Sequence, residues 1–222
     1  MKVFGAALAG VASLFATSAL AQDAGGFYAG YEILQFQWSD TGGDEQQEDL
    51  STGGRVTFGY NTSDDNSVRL RVFGFAAVDE GGADIELGYA DLEYVSQIAL
   101  SDTVSAEFSA GVRRLKLLAP DGEWDGSTGP VIAAKITSDL GKGFGFYGGA
   151  RTSVVFGIED EDDDFHQVAA SELSTGFTWS RAVGAGALDI NFGAEAQNYQ
   201  SVRDGEEDYG LIGFAIGANY SF

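Results

Sequence analysis

The sequence has no cysteine, two prolines and one histidine, and its 12 Lys and Arg stand against 34 Asp and Glu in 222 residues. Each scarcity excludes something. Without cysteine there is no disulfide framework of the kind that staples small exported domains, and no thiolate metal site. A net charge of −22 repels nucleic acid, which removes that class of partner. After residue 21 no apolar run approaches the ~18 residues of a membrane-spanning helix. What the chain does have is glycine (32 residues) and aromatic rings (13%). Many rings, many glycines and few prolines suit long strands better than helices.

The first 21 residues stand apart. "MKVFGAALAGVASLFATSALAQ" carries one charge, Lys2, then an apolar run, then Ala19-Leu20-Ala21. That is the three-part pattern of a secretory signal peptide cut after Ala21. The alternative is a buried N-terminal helix, which the polar, Gly-rich "QDAGG" after the A-x-A site argues against. Residues 22–222 then form one domain, since no linker or low-complexity stretch divides them. Cleavage removes one base and no acid, taking the net charge to −23.

Beyond that point the apolar pattern has a period of two. In "FGFYGGARTSVVFGI" (144–158), Phe144, Phe146, Val154, Phe156 and Ile158 share one face, and Arg151 lies on the small, polar other face. Helical spacing of three and four is absent. The same reading predicts ten strands, at about 26–38, 53–61, 67–78, 84–99, 103–117, 128–138, 143–158, 166–181, 186–200 and 209–222. In the fourth, Ile85, Leu87 and Tyr89 alternate and then Leu92, Tyr94 and Ile98 do so in the opposite phase; a β-bulge near Ala90 accounts for the slip.

The connections alternate in length. "NTSDDN", "ALSDT", "DLGKG" and "RAVGAG" are short; "SDTGGDEQQEDLST", "VDEGGAD", "LAPDGEWDGSTG", "EDEDDDF" and "SVRDGEED" are more acidic and some are longer. Short turns on one side, longer loops on the other and an even strand number predict an all-β, antiparallel up-and-down outer-membrane barrel of about ten strands, with eight or twelve as alternatives. Phe27, Tyr60, Phe144, Trp179, Tyr220 and Phe222 fall at strand ends, where interfacial girdles sit. A soluble sandwich is the competing fold; it would have to solvate both polar faces while burying every ring between them.

If the apolar faces meet lipid, the other faces fill the lumen. They carry Glu32, Asp91, Glu93, Glu107, Glu172, Asp189 and Glu195, and also Arg55, Arg69, Arg71, Arg113, Lys135 and Arg151. So narrow a barrel must pair or solvate these charges, which leaves two alternatives: an ion-pair plug or a narrow wet channel. The acidic loops predict a cation bias for a channel. Arg114 and Lys116 fall on the outward face near the loop end, where a base meets lipopolysaccharide phosphate or simply snorkels.

Other chemistry finds little support. Asp160, Asp162 and Asp164 begin like an EF-hand loop, but Phe165 stands where glycine belongs and Ser171 where glutamate belongs. "GKGFG" lacks phosphate-loop spacing, and no His/Cys cluster offers a transition-metal site, so no cofactor or metal is expected. Asp164-Phe165-His166 resembles the Asp-x-His pair of omptins, ten-stranded outer-membrane proteases, but no second acidic pair accompanies it. The chain is therefore expected not to be an enzyme.

Several stretches together carry a wider resemblance: "YEILQF", "DLEYVSQIALSDTVSAEFSAGVR", "GSTGPVIAAKI", "ASELSTGFTWS", "GAEAQNYQ" and "GFAIGANYSF". On these the chain resembles the Legionella-type major outer-membrane, pore-forming proteins. The resemblance implies a barrel with pore-forming tendency and brings no catalytic residue with it. Short loops and the lack of cysteine depart from the larger members. The closing set Phe214, Ile216, Ala218, Tyr220 and Phe222 resembles the C-terminal signature that barrel-assembly machinery reads. The functional expectation is a porin-like passage for small hydrophilic solutes or cations in the outer membrane of a Gram-negative cell. Its other partners would be outer-membrane lipid and lipopolysaccharide. The alternative is a non-conducting structural or adhesive surface barrel with a salt-bridged lumen.

Overall fold

The computed structural model describes residues 26–40, 50–78, 84–119, 122–158, 165–201 and 208–222. The signal-peptide segment and most of the acidic loop residues lie outside this set. The described chain forms ten strands: β1 (Phe27–Asp40), β2 (Ser51–Asn61), β3 (Asn66–Val78), β4 (Asp84–Ala99), β5 (Val104–Ala119), β6 (Gly122–Gly141), β7 (Phe144–Ile158), β8 (Phe165–Val183), β9 (Gly186–Ser201) and β10 (Tyr209–Ser221). Each pairs antiparallel with its sequence neighbours, and β1 pairs with β10 to close the cylinder. No helix is present among the described residues.

Closure follows from the last strand. β10 runs against β1 from Tyr28↔Ser221 to Asp40↔Tyr209, and the Phe222 backbone N–H donates to the Phe27 carbonyl at 2.9 Å. No strand edge is left unpaired, which is the condition for strands to cross hydrocarbon. Close approach has a sequence requirement: a Cβ on inward-facing Gly213 would lie 1.8 Å from the Gln35 carbonyl oxygen. Only glycine fits there.

The outward face carries an apolar band. Leu173, Phe177, Ile212 and Phe214 are all more than half exposed, and Ile132, Val112, Leu92 and Phe192 continue the band. A girdle marks its short-turn edge. Phe27 and Tyr60 have ring centroids 4.8 Å apart, and Tyr220 and Phe222 do likewise.

Two expectations need correction. β6 runs from residue 122 to 141, well past the expected 128–138. And β4 has no bulge near Ala90: its pairing to both neighbours is continuous there. Ile85, Leu87 and Tyr89 instead point inward, each 3% exposed, in phase with Asp91 and Glu93. The apparent slip in the pattern is a change in what the lumen holds. The irregularity in this region is next door, where the β5–β6 register shifts between Leu115 and Leu117.

Strand length explains the change. A 16-residue strand such as β4 spans about 50 Å at ~3.3 Å per residue. Tilted by ~40° it stands about 40 Å tall, against an apolar band of ~25 Å. Beyond a band of that height, at the loop end, the pattern inverts to that of a water-exposed wall: polar outside, apolar inside. Outward Gln37, Thr52, Arg114, Lys116 and Gln200 and inward Phe36, Phe75 and Leu115 meet that rule.

Candidate functional site in the barrel lumen

The lumen has three layers along its axis. The loop-end layer is a packed apolar core: Leu34, Phe36, Trp38, Phe73, Phe75, Ile85, Leu87, Tyr89, Leu115, Leu117, Val155, Val168, Tyr199, Tyr209 and Leu211 are among its members. Phe36 meets Phe73 and Phe75 edge-on, with centroids 6.4 and 6.1 Å apart. Phe73 stacks on Tyr89 at 5.0 Å. These rings come from β1, β3 and β4 on one side, and Val155, Val168, Tyr199 and Tyr209 join the same cluster from β7, β8, β9 and β10, so the core spans the cylinder rather than coating one wall.

Beneath it lies an ion-pair layer centred on Arg113, whose side chain is fully buried. Its Nε and Nη2 donate to the two Asp91 carboxylate oxygens at 2.7 and 2.8 Å, a bidentate fork that lysine has no geometry to make. Nη2 also donates to Glu172 Oε1 at 2.6 Å. The guanidinium lies 3.9 Å from the Tyr89 ring centroid, which couples the ionic layer to the apolar one.

The pairing continues across the lumen. Arg71 reaches Glu172 Oε2 at 3.2 Å, and Tyr89 donates to the same oxygen at 3.2 Å. Arg151 holds Asp91 at 3.1 Å and Glu93 at 2.5 Å. Arg69 donates to Glu93 at 3.1 Å and Glu107 at 2.7 Å. Ser109 adds a 2.7 Å hydrogen bond to Glu93. On the far side Arg55 pairs with Glu195, and reaches Glu32 at 2.9 Å. Asn191 donates to Glu32 at 2.7 Å. Gln197 donates to Glu195, and Tyr199 to Gln197, both at 2.6 Å. Removing charges from water costs several kcal/mol per ion, so a network this buried persists only because its carboxylates are multiply bonded.

The third layer is a polar cavity of about 500 Å³ that opens at the short-turn end. Tyr28, Asn61, Gln97, Thr178, Asn219 and Ser221 form its rim and walls, and Arg55, Arg71, Arg151, Glu172 and Glu195 its floor. Lys135 and Asp189 stand on its wall, the Lys135 ammonium 4.8 Å from the Tyr147 ring centroid.

All thirteen charges expected in the lumen face inward. Glu32, Arg55, Arg69, Arg71, Glu107, Lys135, Arg151, Glu172, Asp189 and Glu195 line the cavity, while Glu93 and Arg113 lie buried beyond it. Asp91, also expected inside, is at the centre of the network. Phe214, Ile216 and Phe222 face outward and exposed, with Ala218 and Tyr220 in phase between them. His166 pairs by backbone with Gly157 at the loop end; Asp164 and the other acids of that loop lie outside the described residues.

The residues missed on sequence are Trp38, Phe36, Phe73, Phe75, Leu115 and Leu117, which close the loop end. A signal was present. In "GVRRLKLLA" the polar residues move from the inward phase (Arg113) to the outward phase (Arg114, Lys116) while leucines take the inside.

No protein-family model and no curated relative matches the chain. Solved structures do. The outer-membrane protease OmpT of Escherichia coli aligns over 93% of this chain and 100% of its own, with 10% identity and a TM-score of 0.51. Neisserial surface protein A aligns over 88% of this chain and 97% of its own, with 13% identity and a TM-score of 0.44. Ail, the attachment invasion locus protein of Yersinia pestis, aligns over 90% and 100%, with 12% identity and a TM-score of 0.39. The chain has the fold of an outer-membrane β-barrel. At such identities the likeness is one of architecture and assigns no activity; the resemblance to the Legionella-type proteins rests on the sequence motifs alone.

Proposed function

We propose that this is an outer-membrane barrel with a closed lumen, which works through the acidic loops it presents outside the cell rather than as an open pore. One observation carries the reading. Between the cavity at the short-turn end and the loop end stand two successive barriers, a multiply bonded ionic layer and a packed aromatic core, each built from strands on opposite walls. Hydrated solutes cross neither without displacing buried groups.

The loops then hold what is left to act. Most of the 34 acids that do not enter the lumen sit in runs such as "DEQQED" and "EDEDDD". A strongly negative mouth attracts cations and basic partners, less so in high salt. Phe214, Ile216, Ala218, Tyr220 and Phe222 would serve recognition by the assembly machinery, and no catalytic role is assigned.

A second reading, the porin-like passage with cation bias, is favoured by the polar cavity, which already reaches the ionic floor. In that case the two barriers would form a gate. Liposome swelling separates the two. Vesicles carrying the folded protein should swell in small sugars no faster than empty vesicles. Swelling that rises with protein content favours the passage.

A further inference from the structure

The charges of the lumen are not all paired with one another. Its five arginines are each bonded to carboxylates, and six acids take part: Glu32, Asp91, Glu93, Glu107, Glu172 and Glu195. Two opposite charges are left over, Lys135 on β6 and Asp189 on β9, and both stand on the wall of the short-turn cavity. Among the described residues, neither has a hydrogen bond or an ion pair.

The surrounding sheet keeps each of them unpaired. Lys135 lies directly opposite Glu107 across the β5–β6 ladder, a placement in which opposite charges ordinarily pair. Arg69 holds that carboxylate instead, at 2.7 Å. On its other side Lys135 meets Gly149, which has no side chain, and its ammonium lies 4.8 Å from the Tyr147 ring centroid. Asp189 stands between Asn219 on β10 and Ser180 on β8, and neither donates to it. Three strand spacings separate β6 from β9, about 14 Å of wall at ~4.8 Å per strand. The two charges therefore do not neutralise each other.

Other polar atoms around them are also unused. Arg71, on the cavity floor, donates one hydrogen bond, to Glu172 at 3.2 Å. Asn219 Oδ1 is buried without a partner. Asn61, Gln97 and Thr178 add amide and hydroxyl groups to the wall of this cavity of about 500 Å³.

We infer that the cavity is a binding site for a short zwitterionic peptide, which enters from the short-turn side. Its free carboxylate pairs with Lys135 and its free ammonium with Asp189, while the peptide groups between them meet the amide and hydroxyl side chains. Two or three residues at up to ~3.5 Å each bridge the gap, because the long lysine side chain reaches inward to meet them. An anion alone leaves Asp189 without a partner, and a cation alone leaves Lys135 without one. A ligand bearing both charges complements both walls. The site goes beyond the closed-lumen reading and needs only the cavity; on the outer-membrane reading its mouth faces the periplasm.

The test is titration calorimetry on the whole folded protein in a non-ionic maltoside detergent, with trialanine, its N-acetyl form and its C-terminal amide. Trialanine should bind, and each capped form should bind about tenfold more weakly, through loss of one charge-assisted contact. K135Q should weaken trialanine about tenfold and leave the amide unchanged; D189N should weaken trialanine likewise and leave the N-acetyl form unchanged. K142Q and D102N, at exposed turn positions, should bind as wild type does. Equal affinity for all three peptides overturns the site, as does wild-type affinity for trialanine in both K135Q and D189N. The closed lumen stands or falls separately. Conductance together with this binding pattern removes the closed lumen and keeps the site. A silent barrel that binds none of the peptides loses the site alone.

Discussion

Arg113→Ala is expected to destabilise the barrel by about 3–5 kcal/mol, the usual cost of breaking a buried ion pair from one side. Arg113 is fully buried, and its removal leaves Asp91 without its bidentate partner and Glu172 without its shortest contact. Arg151 and Arg71 still touch those carboxylates, which holds the loss within that range. Arg113→Lys should fall between, since an ammonium keeps the charge but loses the fork. Urea titration in lipid vesicles reads both. A compensated variant separates charge from shape: replacing Arg113 by Met together with Asp91 by Leu should recover part of the loss, because Arg151 keeps Glu93 and Glu172 keeps Arg71, and apolar residues often substitute for a buried ion pair. A loss under about 1 kcal/mol for Arg113→Ala would mean that the network is hydrated and open.

The second large effect concerns the reversal of polarity along the barrel. Leu115→Asp puts a carboxylate in the apolar loop-end core, where Leu115 is wholly buried. No folded barrel, or a loss above ~4 kcal/mol, is expected. Thr52→Asp, at an outward and exposed position beyond the apolar band, should change stability by no more than ~0.5 kcal/mol. Leu92→Arg, outward within the band and 58% exposed, should cost about 2–4 kcal/mol. A channel with a wet lumen throughout predicts the reverse order at the first position: Asp at 115 tolerated. Equilibrium unfolding of the three variants decides between them.

These two results bear on what the sequence could reveal. The strands, their order and the closing pair were legible because a two-residue period with alternating short and longer connections has few other meanings. Inward placement of Arg55, Arg69, Arg71 and Arg151 was legible for the same reason. The partners were less so. Asp91↔Arg113 and Arg69↔Glu93 are register neighbours and follow once the pairing is known. Arg55–Glu195 and Arg151–Glu93 cross the lumen, and only the curvature of the closed cylinder brings them together. The apolar core was misread for a different reason. Taking every apolar residue as lipid-facing turned Ile85, Leu87 and Tyr89 outward and required a bulge. The rule holds only over an apolar band of ~25 Å, and the strands stand taller than such a band.

The lumen's closure also changes the meaning of variants at the cavity floor. Arg151→Ala or Glu107→Ala would enlarge the cavity, yet the core of Phe36, Phe73, Phe75 and Leu115 beyond it stays intact. Loosening the ionic layer alone therefore does not connect the two ends.

Single-channel recording in a planar bilayer tests the closed lumen most directly. Wild-type protein, shown to be inserted by its resistance to protease, should give a silent membrane, and so should Arg151→Ala. Stable conductance steps from the wild-type barrel would contradict the account.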